Sequence, residues 1–255
     1  MQFESFRLSI GDRNVGRIYR PNPGHDAAGA FIICHGGPGG GQCNPETIAT
    51  WDINPAWTIL TFDNYACGET GGSDAEMTFD RWAKNTADVY RFAQGLPGVD
   101  PRRVGLIGLS SGSEAALRCA ITYEMPAFIV SIATCSSPNY GNWPAEVLCH
   151  ELAALQRGET RDCCGFQFKL EFFLDAVGNA PIYRIGEITC PVLFLQGLAD
   201  NAKRRGDALM GHEYMQRAGR NSRLVEVPGG NHELDNVVDQ RTTAIRSWLQ
   251  EIRMI

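Results

Sequence analysis

Val104-Gly-Leu-Ile-Gly-Leu-Ser-Ser-Gly-Ser-Glu-Ala-Ala-Leu-Arg-Cys-Ala120 is the stretch on which the fold turns. Val104–Gly108 is an apolar run that reads as a buried strand, and Ser113–Ala120 is rich in helix formers. Between them Gly108-Leu109-Ser110-Ser111-Gly112 has the form G-x-S-x-G. A serine on a strand-to-helix turn is held in a sparsely allowed backbone conformation, and the two arms of the turn crowd each other. Residues two before and two after it must then be very small, and glycine costs least. The register is unambiguous: Ser111 would be flanked by Leu109 and Ser113, and Ser113 by Ser111 and Ala115, so only Ser110 has glycine on both sides. Its hydroxyl would stand at the positive end of a helix, where charge on an attacked carbonyl can be stabilised.

Outward from this turn, strand-like and helix-like segments alternate along almost the whole chain. Phe3–Ile10 and Val15–Arg20 read as an opening strand pair; Ala30–Cys34, Thr58–Phe62, Phe128–Ala133, Pro191–Gln196 and Arg223–Val227 follow as strands. Phe79, Trp82, Ala83, Thr86, Ala87, Tyr90 and Ala93 recur at helical spacing, and residues 237–252 read as a terminal amphipathic helix. Continuous apolar strands separated by helices predict an α/β fold: a mostly parallel eight-stranded sheet flanked by helices. Residues 136–188 interrupt the rhythm with helix-like pieces at 145–156 and 166–177 and no expected strand, and predict a small helical lid inserted after strand 6 of a core spanning 1–135 and 189–255.

The chain has 255 residues, a net charge of −6 and a 44% hydrophobic fraction. This suits one soluble α/β domain and offers no electrostatic case for nucleic acid or an anionic membrane surface. No apolar run approaches a membrane span and no basic apolar leader opens the sequence. Nine cysteines include no C-x-x-C pair, so the expectation is a reducing, cytoplasmic setting without a metal.

Five motifs together resemble the α/β-hydrolase superfamily of serine hydrolases: His35-Gly-Gly-Pro-Gly, Phe62-Asp-Asn-Tyr-Ala-Cys-Gly-Glu-Thr-Gly-Gly-Ser73, Gly108-Leu-Ser-Ser-Gly112, Gly197-Leu-Ala-Asp200 and Gly229-Gly-Asn-His232. The resemblance implies a nucleophile, an acid and a histidine in that chain order, each just after a strand. Ser110 is then the nucleophile, Asp200 the acid after the penultimate strand, and His232 the general base in the loop before the last helix. The other histidines fit less well: His25 lies in a polar turn, His150 on the lid and His212 within a helix, while His35 is expected to brace its own loop. Asp200 has a competing reading as a helix N-cap. The oxyanion hole is expected from the amides of Ser111 and Gly37, in a glycine-rich loop that lacks the phosphate-binding patterns.

Substrate is less legible. The His-Gly-Gly-Pro-Gly loop is similar to that of proline iminopeptidases, but Leu109 and Ser111 depart from their elbow. The leading expectation is therefore cleavage of an ester or thioester of a small to medium, largely apolar molecule, without a cofactor. An aminopeptidase using lid carboxylates (Glu146, Glu151 or Glu171) is the alternative, and a lyase, acyltransferase or non-catalytic binding protein the third. Trp143 and Phe172 are expected to line the apolar pocket. One cation of Lys203-Arg204-Arg205, with Lys203 the first candidate, is expected to meet an anionic group on the substrate. Oligomeric state is open.

Overall fold

The computed structural model describes residues 2–7, 9, 11, 13–20, 28–37, 50–138, 143–163 and 165–255. Eight strands form one sheet: β1 (Gln2–Arg7), β2 (Val15–Arg20), β3 (Ala28–Cys34), β4 (Thr58–Phe62), β5 (Val99–Leu109), β6 (Ile129–Ile132), β9 (Val192–Gly197) and β10 (Ser222–Val227). Their spatial order is β1-β2-β4-β3-β5-β6-β9-β10. The β1–β2 and β2–β4 pairings are antiparallel and the remainder parallel.

Helices cover both faces. On one lie α1 (Phe79–Gln94), α2 (Ser111–Thr122) and, further on, α5 (Ala202–Arg217). Their Ala83, Ala87, Leu117, Ala208 and Met215 pack with Ile32, Leu60, Leu106 and Phe194. On the other, α6 (Val238–Glu251) brings Ile245, Trp248 and Leu249 onto Phe31, Ile33, Ile107 and Leu193. Neighbouring strand residues thus enter opposite cores, as a period of two demands. Both sides of β3, β4 and β9 are buried throughout, which is why these strands read as unbroken apolar runs. Each large apolar side chain enclosed here contributes about 1.5–3 kcal/mol relative to exposure.

Between β6 and β9 the chain forms α3 (Trp143–Gln156), a hairpin of β7 (Arg161–Cys163) and β8 (Phe166–Phe168), and α4 (Leu170–Gly178). The hairpin corrects the expectation that this segment holds no strand and that a helix starts at Phe166. Phe166-Gln-Phe168 alternates with period two, Gly165 turns with φ +86°, and Lys169 starts the shorter helix. Three-residue strands fall below what an alternation pattern can reveal. The segment is fastened by Asp175 of α4: one carboxylate oxygen accepts from the Phe79 amide at 2.8 Å and the Asp80 amide at 3.1 Å, at the start of α1. Its other oxygen receives Arg118 of α2 at 2.8 Å.

Candidate active site

Ser110 sits between β5 and α2 with φ 51° and ψ −118°, a conformation that costs a non-glycine residue on the order of 1–3 kcal/mol. The surroundings hold it there. Its amide donates to the Ile132 carbonyl at 2.9 Å and its carbonyl accepts from the Ser113 amide at 2.9 Å. A Cβ on Gly108 would lie 2.4 Å from Ser113 Cα; one on Gly112 would lie 2.1 Å from the Cys34 carbonyl oxygen. The two glycines are therefore steric requirements, and the turn presses directly on the end of β3.

That end continues into His35-Gly36-Gly37. Gly36 lies against Ser110, since a Cβ there would be 3.1 Å from Ser110 Cβ. Gly37 has φ +60° and open space around it. His35 is 5% exposed, and its Nε2 accepts the Asn64 amide at 3.1 Å. With Nε2 an acceptor, Nδ1 carries the proton and donates to the Gly36 carbonyl at 3.2 Å. Burial lowers its pKa, against smaller opposing contributions from Gly36 and Asp63, so the ring is neutral and acts as a brace. Pro38–Gly41 and His25 lie outside the described residues.

Asp200 follows β9 and His232 follows β10. Asp200 Oδ2 receives His232 Nδ1 at 2.9 Å and Gln196 Nε2 at 2.9 Å, and Oδ1 accepts the Asn201 amide at 2.7 Å. Desolvation favours the protonated carboxyl, but these donors together outweigh it and hold the pKa below the usual carboxylate value. The helix-cap reading of Asp200 is settled by its neighbour: Asn201 caps α5, its Oδ1 accepting the Arg204 amide at 3.0 Å. The two loops are laced together. Ala199 donates to the Gly230 carbonyl at 2.9 Å, and a Cβ on Gly197 would lie 2.3 Å from that same oxygen. The His232 side chain is 37% accessible, with Nδ1 directed at the Asp200 carboxylate.

Beside the serine, the Cys135 thiol lies within hydrogen-bonding reach of the Ser110 hydroxyl, and the Arg204 guanidinium contacts that sulfur. Lys203 is exposed and lines an open groove of about 730 Å³ with Ser137, Ile182, Tyr183, Asp207 and Tyr214. Of the three consecutive cations it is Arg204 that contacts the Cys135 sulfur. Phe172 is 3% exposed and stacked on Phe168 at 4.1 Å between centroids, so it anchors the inserted segment to the core. The Trp143 side chain lies outside the described residues. Glu151 pairs with Arg161, while Glu146 and Glu171 are exposed.

Sequence reading missed a buried ionic cluster on the helix that follows Ser110. Arg118 of α2 is 4% exposed and donates to Glu114 Oε1 at 2.6 Å as well as to Asp175. Glu114 is 1% exposed, and its Oε2 has no hydrogen-bond partner among the described residues. Burial pushes its pKa up to about 7, with Arg118 pulling the other way. The available signal was Glu114–Arg118 at i,i+4 on a helix with no other charged residue. Among the described residues no cluster of His, Cys, Asp and Glu could hold a metal ion, and no helix is long and apolar enough to cross a membrane.

Residues 87–236, more than half of the chain, match the family described as BAAT / Acyl-CoA thioester hydrolase C terminal. A polyketide transferase, claH of Penicillium crustosum, is 29% identical over 86 residues, which is 33% of this chain and 28% of that protein. The match therefore spans little more than a quarter of the curated relative. Among solved structures, Est1E from Butyrivibrio proteoclasticus with ferulic acid bound superposes with a TM-score of 0.75 at 18% identity, covering 96% of this chain and 98% of that one. The α/β hydrolase GrgF from Penicillium sp. sh18 gives 0.76 at 16% identity, covering 98% and 97%. At these identities the likeness establishes the fold, that of the α/β hydrolases.

Proposed function

The chain belongs to the BAAT / acyl-CoA thioester hydrolase C-terminal family, and on that premise we propose that it is a serine hydrolase cleaving a carboxylic ester or thioester through an acyl-enzyme on Ser110. The observation that carries this reading is the Asp200–His232 hydrogen bond of 2.9 Å, built on adjoining loops at the sheet edge where strained Ser110 stands. Asp200 holds the His232 tautomer. His232 Nε2 takes the Ser110 proton as Oγ attacks the acyl carbonyl, and the amides of Ser111 and Gly37 receive the oxyanion. Collapse of the tetrahedral intermediate breaks the bond to the leaving oxygen or sulfur, which takes the proton from His232. Water, deprotonated by the same imidazole, then attacks the acyl-enzyme, and its collapse returns the acid product and free Ser110. Cys34, Cys67, Cys119, Cys135, Cys149 and Cys190 are free thiols, which supports a reducing, cytoplasmic setting.

The polyketide transferase among the relatives favours one second reading, in which an alcohol or thiol replaces water in the last step. The first experiment is fluorophosphonate labelling with peptide mapping on wild type and Ser110→Ala. One adduct on Ser110, and a fall in kcat of roughly 10⁴–10⁶ in the variant, support the assignment. Unchanged turnover in Ser110→Ala overturns it. Partition of a p-nitrophenyl ester between acid and new ester in the presence of alcohols separates hydrolysis from transfer.

A further inference from the structure

β9 is enclosed along its whole length, and Gln196 is its single polar side chain, 1% exposed. The amide is only half satisfied. Nε2 donates to Asp200 Oδ2 at 2.9 Å and to the Gly197 carbonyl at 3.2 Å, while Oε1 has no hydrogen-bond partner among the described residues. The neighbours dictate this orientation: turned over, the amide would set Oε1 against two acceptors. A buried carbonyl oxygen without a donor destabilises the fold, and an apolar side chain of the same shape would avoid that cost. Both N–H groups of Gln196 thus serve the loop that carries Asp200, not the strand that carries Gln196.

The oxygen it holds is the one that also receives His232 Nδ1, at 2.9 Å. Among the described residues the other donor to this carboxylate is the Asn201 amide, on Oδ1 at 2.7 Å. Asn201 is the next residue in the chain and moves with the loop. Gln196 stands on a strand paired on both sides, with β6 and with β10, so it alone of these donors refers the carboxylate to the centre of the sheet. Desolvation pushes the Asp200 pKa up, and Gln196 is foremost among the donors that together bring it below the usual value.

Resting on the hydrolase reading above, we propose that Gln196 is a positioning residue of the reaction: it fixes the rotation of the Asp200 carboxylate, so that Oδ2 stays on His232 Nδ1 while the serine proton passes to Nε2 and back. An amide does this without placing a positive charge beside the imidazolium that forms as Oγ attacks; a lysine or arginine there would oppose it. Without Gln196 the carboxylate keeps the Asn201 amide and the imidazole alone, and can turn about its Cβ–Cγ bond.

The test uses Gln196→Met and Gln196→Leu, two apolar residues suited to an apolar strand, so that one can stand in if the other fails to fold. Turnover of p-nitrophenyl valerate is normalised to the serine labelled by fluorophosphonate, and the His232 Nδ1 proton is followed through its downfield NMR resonance. Per labelled site, kcat is expected to fall roughly 10–100-fold, the worth of one hydrogen bond to a charged group. KM should stay within about twofold, because no contact with substrate is removed. The resonance should be displaced or lost. A kcat within about twofold of wild type in a folded variant overturns the inference. So does a fall in kcat with the resonance unmoved, which is the mark of a general disturbance and not of a turned carboxylate. Absence of Ser110 labelling in wild type, with the resonance still displaced in the variants, would defeat the hydrolase reading and leave the Gln196–Asp200 coupling standing. Labelling of Ser110 with unmoved turnover and resonance would defeat the Gln196 assignment alone.

Discussion

Replacing Glu114 by glutamine should remove a specific pH dependence from the stability of the fold. In the folded chain the Glu114 carboxyl is enclosed, and desolvation outweighs the attraction of Arg118 to raise its pKa from 4.5 to about 7. A raised carboxyl pKa means that the folded state favours the protonated form. The associated stability is fully present below pH 4.5, where both states are protonated, and is lost as pH rises towards 7 and the unfolded chain alone releases the proton. The interval from 4.5 to about 7, at about 1.36 kcal/mol per pH unit, amounts to about 3 kcal/mol. For a domain of this size that corresponds to roughly 6–12 °C in Tm. Urea unfolding and thermal melts of wild type and Glu114→Gln, each run from about pH 5 to pH 8, isolate this contribution, because the other titrating groups are common to both. Wild type should lose stability relative to the variant across that window and level off above it. Parallel curves would refute the reasoning and show that the Glu114 carboxylate is accommodated without cost.

Two further predictions concern the turn and the acid. Gly112→Ala places a Cβ 2.1 Å from the Cys34 carbonyl oxygen and 2.5 Å from that of His35, both main-chain atoms that cannot rotate away. A loss of at least about 1–3 kcal/mol in urea unfolding is expected, together with failure of the folded variant to label at Ser110; wild-type stability would contradict the crowding described here. Asp200→Asn keeps the Gln196 and Asn201 contacts possible but no longer enforces the His232 tautomer, so kcat should fall by roughly 10³–10⁴ with Tm little changed. A variant with normal turnover would remove Asp200 from the proposed triad.

How far the sequence could be read depended on whether a feature was local. The strands Val15–Arg20 and Thr58–Phe62 coincide with expectation because composition and burial coincide along each segment. Ser110 was legible through its glycines, whose crowding involves residues near in sequence as well as the end of β3. The meeting of Asp200 and His232 was legible because loop positions after strands converge at one edge of a parallel sheet. The Arg204 contact was not, since Lys203, Arg204 and Arg205 are equivalent cations until α5 is oriented against Cys135. Nor was the part played by Phe172: an aromatic residue that fills a core and one that lines a pocket share the same letter, and only stacking on Phe168 distinguishes them. Asp175 was equally opaque, because its partners lie 57 and 96 residues away.

The reach of Asp175 bears on how this scaffold can be re-engineered. Variation in substrate range is commonly sought by exchanging the segment inserted between β6 and β9, as though it were a detachable cap. Here that segment supplies two things to the core: the acceptor for the first amides of α1 and one half of the neutralisation of Arg118, on the helix that follows Ser110. A chimera lacking a carboxylate at the Asp175 position would remove the acceptor of the Phe79 and Asp80 amides and leave the Arg118 charge half satisfied. Transplants should therefore keep α4 as part of the recipient and exchange only what precedes it.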